Sequence, residues 1–305
     1  MVDVATLIQA VVNGVLIGGI YGLVSIGVTL IFGVVKFVNF AHGEFLMLAM
    51  YLAWMLATPA AIHSLWSWWP ALPPIDPLIA VVVTVPLMFL FGMVVQQFLF
   101  RRVIGGSDLP QIFLTFALSL LLTNVALILF KGDVRTVQTA YGDATLNIGN
   151  LIFVSWARLI AFAAAVGLSV GLGVFLTRTD IGQAMRAAAQ DRDVAMLMGI
   201  DPDQVYRVAV GLATALAAAG GTLIMPFFVV HPHVGTAFGL LAFAVVIIGT
   251  LGDVRGAFLA GLLVGVADSL GTQFIDASSG RIVVFVVLLA TLIVRPSGLF
   301  GARRA

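Results

Sequence analysis

The feature that most limits how this chain can fold is a succession of apolar runs, most of them about twenty residues or longer. They fall at roughly 7–33, 43–61, 78–100, 109–130, 152–177, 207–230, 238–251, 256–274 and 281–299. A helix needs about 20 residues to cross a hydrocarbon core of about 30 Å. Barrel strands would instead alternate over about ten. The pattern therefore predicts an all-α, polytopic helical membrane protein with about 8–9 transmembrane segments. Charge agrees: 10% of the 305 residues are charged and 61% are hydrophobic, where a soluble domain carries about 25% charge. The 238–251 run is short enough to be re-entrant or broken. The last run has thirteen residues between Arg281 and Arg295, and it spans if both arginines snorkel to opposite interfaces. The opening MVDVATLIQA has no Lys or Arg, so a retained helix is expected there rather than a cleaved signal peptide. With no cysteine, a disulfide framework is excluded.

Positive charge sets the orientation. With nine crossings and the N-terminus outside, Lys36, Arg101, Arg102, Arg178, Arg186, Arg192, Arg207, Arg255, Arg295, Arg303 and Arg304 lie inside. Lys131, Arg135, Arg158 and Arg281 lie outside, which is eleven against four. If 238–251 fails to cross, the later residues flip and the count becomes eight against seven, so nine crossings are favoured. Trp66, Trp68 and Trp69 suit an interfacial aromatic belt. Asp76-Pro77 reads as a helix start. Gly14, Gly18 and Gly22, and again Gly261 and Gly265, recur at the spacing that lets helix backbones approach closely in lipid. No fixed-period repeat is evident.

One stretch breaks the pattern. Residues 178–207, RTDIGQAMRAAAQDRDVAMLMGIDPDQVYR, form the single long segment dense in charge. Asp180 can cap a helix, with Gln183 completing a capping box. Gln183 to Met198 has strong helix propensity, and Gly199 is a natural stop. Asp201-Pro202 launches a second helix. The first helix carries Gln190, Asp191, Arg192 and Asp193 beside Val194, Met196, Leu197 and Met198. Such a patch suits insertion into a partner's groove, and an ordinary solvated loop accounts for it equally.

The run GQAMRAAAQDRDVAMLMGID resembles the loop by which permeases of bacterial ABC importers contact their ATPases. Its form, with Gly182, Arg186, Ala187, Ala189, Asp191, Ala195 and Gly199, is similar to that of branched-chain amino-acid permeases of the LivH type. Asn13–Trp54, with NFAHGE at Asn39 to Glu44, resembles that family's N-terminal segment. Gly249–Leu270 resembles its glycine-rich late segment, and RPSGLFG at Arg295–Gly301 its C-terminal end. Gln190 stands where the general pattern has Glu, and the family's basic run is reduced to Arg101-Arg102. The resemblance implies one transmembrane permease domain over 1–305, with an ATPase-docking loop at 178–207. It implies a place in the bacterial inner membrane beside a homologous second permease, two cytoplasmic ATP-binding subunits and a periplasmic substrate-binding protein. ATP and Mg would sit on those partners, with no cofactor, metal or nucleic acid bound by this chain.

Within NFAHGE, Asn39 can cap a helix, and His42, Gly43 and Glu44 fall in its first turn, where the dipole favours a carboxylate. The resemblance places this segment near the translocation path. Fixing a re-entrant turn is favoured over substrate contact, and both over a proton relay. Asp268 lies inside the 256–274 run, where a lipid-facing acid costs a few kcal/mol. It is expected to pair with Arg281, bond Thr272 or face a watery cavity. His231-Pro232-His233 has the spacing of a metal pair without a third ligand, and reads as a loop at a helix end. The two lysines, Lys36 and Lys131, stand outside any G-x-x-x-x-G-K-[ST] loop, so no ATPase site and no catalytic residues are expected. Within the permease reading, urea, amides or other amino acids remain alternative substrates. The rival class is an ion-coupled secondary transporter, which requires a coupling-ion site and usually inverted repeats. The sequence displays neither, nor the filter of a passive channel.

Overall fold

The computed structural model describes residues 4–65, 73–142, 144–148, 152–276 and 279–301. The tryptophan belt and Arg303-Arg304 lie outside the described residues. The chain runs α1 (Val4–Val35), α2 (His42–Ala57), α3 (Pro59–Leu65), α4 (Pro77–Phe98), α5 (Asp108–Phe130), β1 (Thr145–Ile148), β2 (Ile152–Ser155), α6 (Trp156–Arg178), α7 (Asp180–Gln190), α8 (Arg192–Leu197), α9 (Pro202–Ile224), α10 (Val234–Gly249), α11 (Val254–Phe274) and α12 (Ser279–Val294). Six helices are long and apolar enough to cross a membrane: α1, α4 with the 3-10 turn after it, α5, α6, α9 and α11. The other apolar helices, α2, α10 and α12, have 16 residues each, about 24 Å at 1.5 Å per residue.

The hydrogen bonds sort the loops to two ends of the bundle. At one end Arg101 pairs with Asp203 at 2.6 Å, the Thr115 hydroxyl reaches the Val38 carbonyl at 3.4 Å, and Leu299 N–H donates to Ile248. At the other, the Gln9 amide donates to the Phe153 carbonyl at 2.8 Å, the Ser269 hydroxyl to Ala10 at 2.7 Å, and Arg135 bridges to Val230. Lys36, Arg101, Arg102, Arg178, Arg186, Arg192, Arg207, Arg255 and Arg295 gather at or near the first end. Lys131, Arg135, Arg158 and Arg281 mark the second. The charge asymmetry read from sequence is thus a property of the folded bundle among the described residues.

The bundle is built from two halves of opposite sense. In the first, α1, α2, α4 and α5 follow one another; in the second, α9, α10, α11 and α12 do, starting from the other end. Each half's long first helix packs against the other half's third: α1 on α11 and α9 on α4. Both pairs are antiparallel. A Cβ on Gly14 would sit 2.6 Å from Val266 Cα, and one on Gly18 would sit 2.9 Å from Leu262 Cα. Thr84 meets Thr222 hydroxyl to hydroxyl at 2.9 Å, and Gly92 faces Thr214. Backbones this close require residues without side chains, which explains the four-residue glycine spacing. α6 lies between the halves in sequence. This internal symmetry corrects the impression that the chain has no repeat. The two halves share an order of helices, not a period of residues.

The all-α expectation also needs amending. β1 and β2 form an antiparallel hairpin, with Thr145 opposite Ser155 and Ile148 opposite Ile152. The 152–177 run therefore opens with a strand, and its helix begins at Trp156. Ile152, Phe153 and Val154 are strand formers that an apolar helix also tolerates. Asp76 caps α4 as read, accepting from Leu78 N–H at 2.8 Å. Tyr141 donates a 2.7 Å hydrogen bond to the same carboxylate. Burial, and then that bond, push the Tyr141 phenol pKa up.

Candidate translocation site and coupling surface

The short helices carry the first candidate site. α1 stops at Lys36, which takes a left-handed φ of 55°, and residues 36–41 turn back along the bundle. His42 Nε2 then lies 3.1 Å from the Val24 carbonyl. Val24 is eleven residues from the end of α1, or about 16 Å. α2 thus begins deep in the bundle. α10 begins there too, after residues 225–233 re-enter from the opposite end, and the two N-termini meet. A Cβ at Gly43 would lie 2.7 Å from Gly239 N and 2.8 Å from the Gly235 carbonyl carbon. The run expected at 238–251 is therefore the Val234–Gly249 helix, entered through a non-helical segment.

Two helix N-termini converge here, each a positive dipole end. Glu44 sits between them at 1% exposure. The Thr236 hydroxyl, at the start of α10, donates to Glu44 Oε1 at 3.2 Å, so the carboxylate ties the two halves together. Ser119 of α5 also approaches the Glu44 carboxylate, while Asn39 Nδ2 and His42 Nδ1 are buried without a hydrogen-bond partner among the described residues. Asn39 does not cap α2 in the way its position suggested. Its Oδ1 accepts from Ala41 N–H at 3.0 Å, and Ala41 is the N-cap residue. Asn39, His42, Gly43 and Glu44 thus form one buried junction, and Asp268 lies apart from it.

Asp268 is paired, but not as expected. The Tyr21 hydroxyl donates to its Oδ2 at 3.0 Å, across 247 positions that sequence offers no means to connect. Among the described residues no hydrogen bond from Arg281 or Thr272 to this carboxylate is seen, and Arg281 acts on it only through its charge. His233 is the residue preceding α10, and no group of three or more metal-ligating side chains occurs among the described residues.

The island folds with one break more than its propensity suggests. Thr179, not Asp180, caps α7, accepting from Gly182 N–H at 3.1 Å. Asp180 is the first helical residue. Gly182 lets α7 close on α6: a Cβ there would lie 2.6 Å from Leu176 Cα. The helix expected to reach Met198 ends at Gln190. Asp191, at φ −150° and ψ 113°, closes α7 and caps α8, accepting from Asp193 and Val194 N–H at 2.9 and 3.1 Å. Gly199 stops α8 with φ +82°, and Asp201 caps α9 through Asp203 N–H. Ala195 is buried, Ala187 and Ala189 are half-buried, and Arg186 is exposed. Leu197 and Met198 are 86% and 78% exposed. α8, six residues long and held at both ends, is thus tipped with uncovered apolar side chains.

A sequence model of the family described as branched-chain amino acid transport system / permease component matches residues 10–292. Curated relatives span 92–99% of the chain. A high-affinity branched-chain amino acid transport system permease protein, BraD of Pseudomonas aeruginosa, is 28% identical over 99% of this chain and 98% of its own. LivH of Escherichia coli K12, of the same description, is 27% identical over 96% and 95%. A probable branched-chain amino acid transport permease protein LivH of Methanocaldococcus jannaschii is 23% identical over 92% and 88%. No solved structure matches.

Proposed function

This chain belongs to the branched-chain amino acid transport system permease family, and we propose on that premise that it is the LivH-type membrane subunit of an ABC importer for branched-chain amino acids. It would sit as a multi-pass protein in the bacterial inner membrane. The observation that carries the reading is the pairing of a two-half helical bundle with a capped, apolar-tipped island at its positively charged end. Nine crossings follow if residues 36–57 and 225–249 each cross as an extended segment plus a helix. A second permease, two ATP-binding subunits carrying ATP and Mg, and a periplasmic binding protein complete the machine. Closure of the ATPase pair on nucleotide would carry α7 and α8 with it. The two halves would then exchange outward and inward access, a two-state element biased by nucleotide. Gly182, Arg186, Ala187, Ala189, Asp191, Ala195 and Gly199 shape that lever. Asn39, His42, Gly43, Glu44 and Asp268 hold the bundle around the path. The test is co-purification of an ATP-hydrolysing subunit with the detergent-extracted chain; a chain that transports branched-chain amino acids after purifying alone contradicts the reading.

Orientation is checked separately. The chain has no cysteine, so single cysteines report cleanly. Ser107→Cys and Ser297→Cys should label with a membrane-impermeant maleimide from the cytoplasmic side, and Thr136→Cys, exposed in the loop after α5, from the other. Labelling of Ser107→Cys and Ser297→Cys from opposite sides would remove the nine-crossing arrangement.

At the buried junction, Glu44→Gln keeps an acceptor for Thr236 and should leave substrate-stimulated ATP turnover within a few-fold of the parent. A proton relay through Glu44 would instead lose uptake while folding and assembly persist.

A further inference from the structure

We propose that the groove between α6 and α11 at the positively charged end is a binding site for an anionic phospholipid of the cytoplasmic leaflet. Its volume is about 680 Å³, and it is lined on one side by α6 from Val166 to Arg178 and on the other by Val254 to Leu259 of α11. Ile26 of α1 lies at its floor.

The walls offer an apolar ligand nothing to compete with. Val170, Val174 and Leu259 are exposed, and Gly173, also in the lining, has open space where its Cβ would be. The polar side chains in the wall are satisfied within their own helix. Ser169 donates to the Ala165 carbonyl at 2.7 Å, and Thr177 to Gly173 at 2.8 Å. From Val166 to Arg178 the wall rises about 18 Å, close to the roughly 15 Å half-thickness of a hydrocarbon core. The groove therefore has the reach of one acyl chain in one leaflet.

Its mouth is basic. Arg178 ends α6, Arg255 opens α11 and Arg186 approaches from α7, all three lining the cavity. Among the described residues none of them has a carboxylate oxygen within 4.0 Å. The one acid in the lining, Asp253, is engaged as the cap of α11, accepting from Arg255 N–H at 3.0 Å. Three arginines lining one apolar slot call for a multiply accepting anion joined to a hydrocarbon tail. A phosphodiester with an uncharged headgroup supplies both. A zwitterionic lipid would bring an ammonium into the same cluster, which is unfavourable. A soluble phosphate would leave the slot empty.

The assignment to the cytoplasmic leaflet rests on the orientation proposed above, but binding itself can be read in detergent, where orientation does not enter. Native mass spectrometry of the delipidated full chain, titrated with phosphatidylglycerol, phosphatidylethanolamine or inorganic phosphate, is the measurement. Phosphatidylglycerol should be retained at least ten-fold better than phosphatidylethanolamine, and phosphate should not displace it at equal concentration. Arg178→Gln with Arg255→Gln should remove that preference. Leu259→Trp, which fills the slot and leaves every arginine, should lower retention of both lipids. Equal retention of the two lipids, full displacement by phosphate, or unchanged binding in both variants overturns the site. Loss of ATPase co-purification would instead concern the permease reading.

Discussion

Valine in place of Gly43 is expected to abolish a detergent-stable fold. Its Cβ would lie 2.7 Å from Gly239 N and 2.8 Å from the Gly235 carbonyl carbon. Those neighbours are backbone, so no rotamer change relieves the overlap. α2 and α10 would have to separate, breaking the Thr236–Glu44 hydrogen bond in the interior. Overpacking alone costs about 1–3 kcal/mol, and the lost hydrogen bond to a buried carboxylate adds to it. The cost falls at or beyond the upper end of that range. The readout is the monodisperse fraction and the thermal midpoint of the extracted protein. Gly167→Val on α6, where nothing lies within 4 Å of the added carbon, is the matched control and should behave like the parent. A normal midpoint for Gly43→Val would mean that the two N-termini do not meet as described.

The second large effect is expected at the island tip. Leu197→Asp alters a side chain that is 86% exposed, so the chain's own stability should change by no more than about 0.5 kcal/mol. If Leu197 fills a pocket on the ATPase, association should weaken at least ten-fold, or about 1.4 kcal/mol. Gly199→Val should act less directly. Nothing crowds its Cβ position, but φ +82° is unfavourable for a β-branched residue by roughly 1–2 kcal/mol, so α8 loses its stop. Asp191 separates capping from charge. Asp191→Asn keeps an N-cap acceptor and should retain the ATPase, whereas Asp191→Ala loses about 1 kcal/mol of cap and should weaken it. Pull-down of the ATPase with each variant is the measurement. Loss with Asp191→Asn equal to that with Asp191→Ala would mean that the charge itself makes the contact.

The parts of this fold legible in the sequence are those governed by nearby residues. The apolar runs located the helices, Asp76, Asp201 and Gly199 marked ends that the structure keeps, and the distribution of Lys and Arg sorted the loops to their ends. Errors arose where two local answers were close in energy. Thr179 and Asp180 are both capping residues, and backbone geometry selects the first. The alanine-rich run through Asp191 favours continuous helix, but the aspartate gains two N–H bonds by breaking it. Ile152 to Ser155 reads as the start of a helix until β1 pairs with it. What could not be read was long-range. Tyr21 finds Asp268, and Gly43 finds Gly235, because opposed halves bring them together. Opposed halves share topology without sharing residues at a fixed spacing. That symmetry also removes one argument against an ion-coupled transporter, since inverted halves suit either class. The match to the branched-chain amino acid transport permease family is what separates them.

Uptake into proteoliposomes tests this most directly. The chain is reconstituted with its second permease and ATP-binding subunits, and radiolabelled leucine is supplied outside with the binding protein. The account predicts accumulation that requires ATP on the island side, ceases with Leu197→Asp and is indifferent to a proton or sodium gradient. Accumulation driven by an ion gradient with the ATP-binding subunits left out would contradict it.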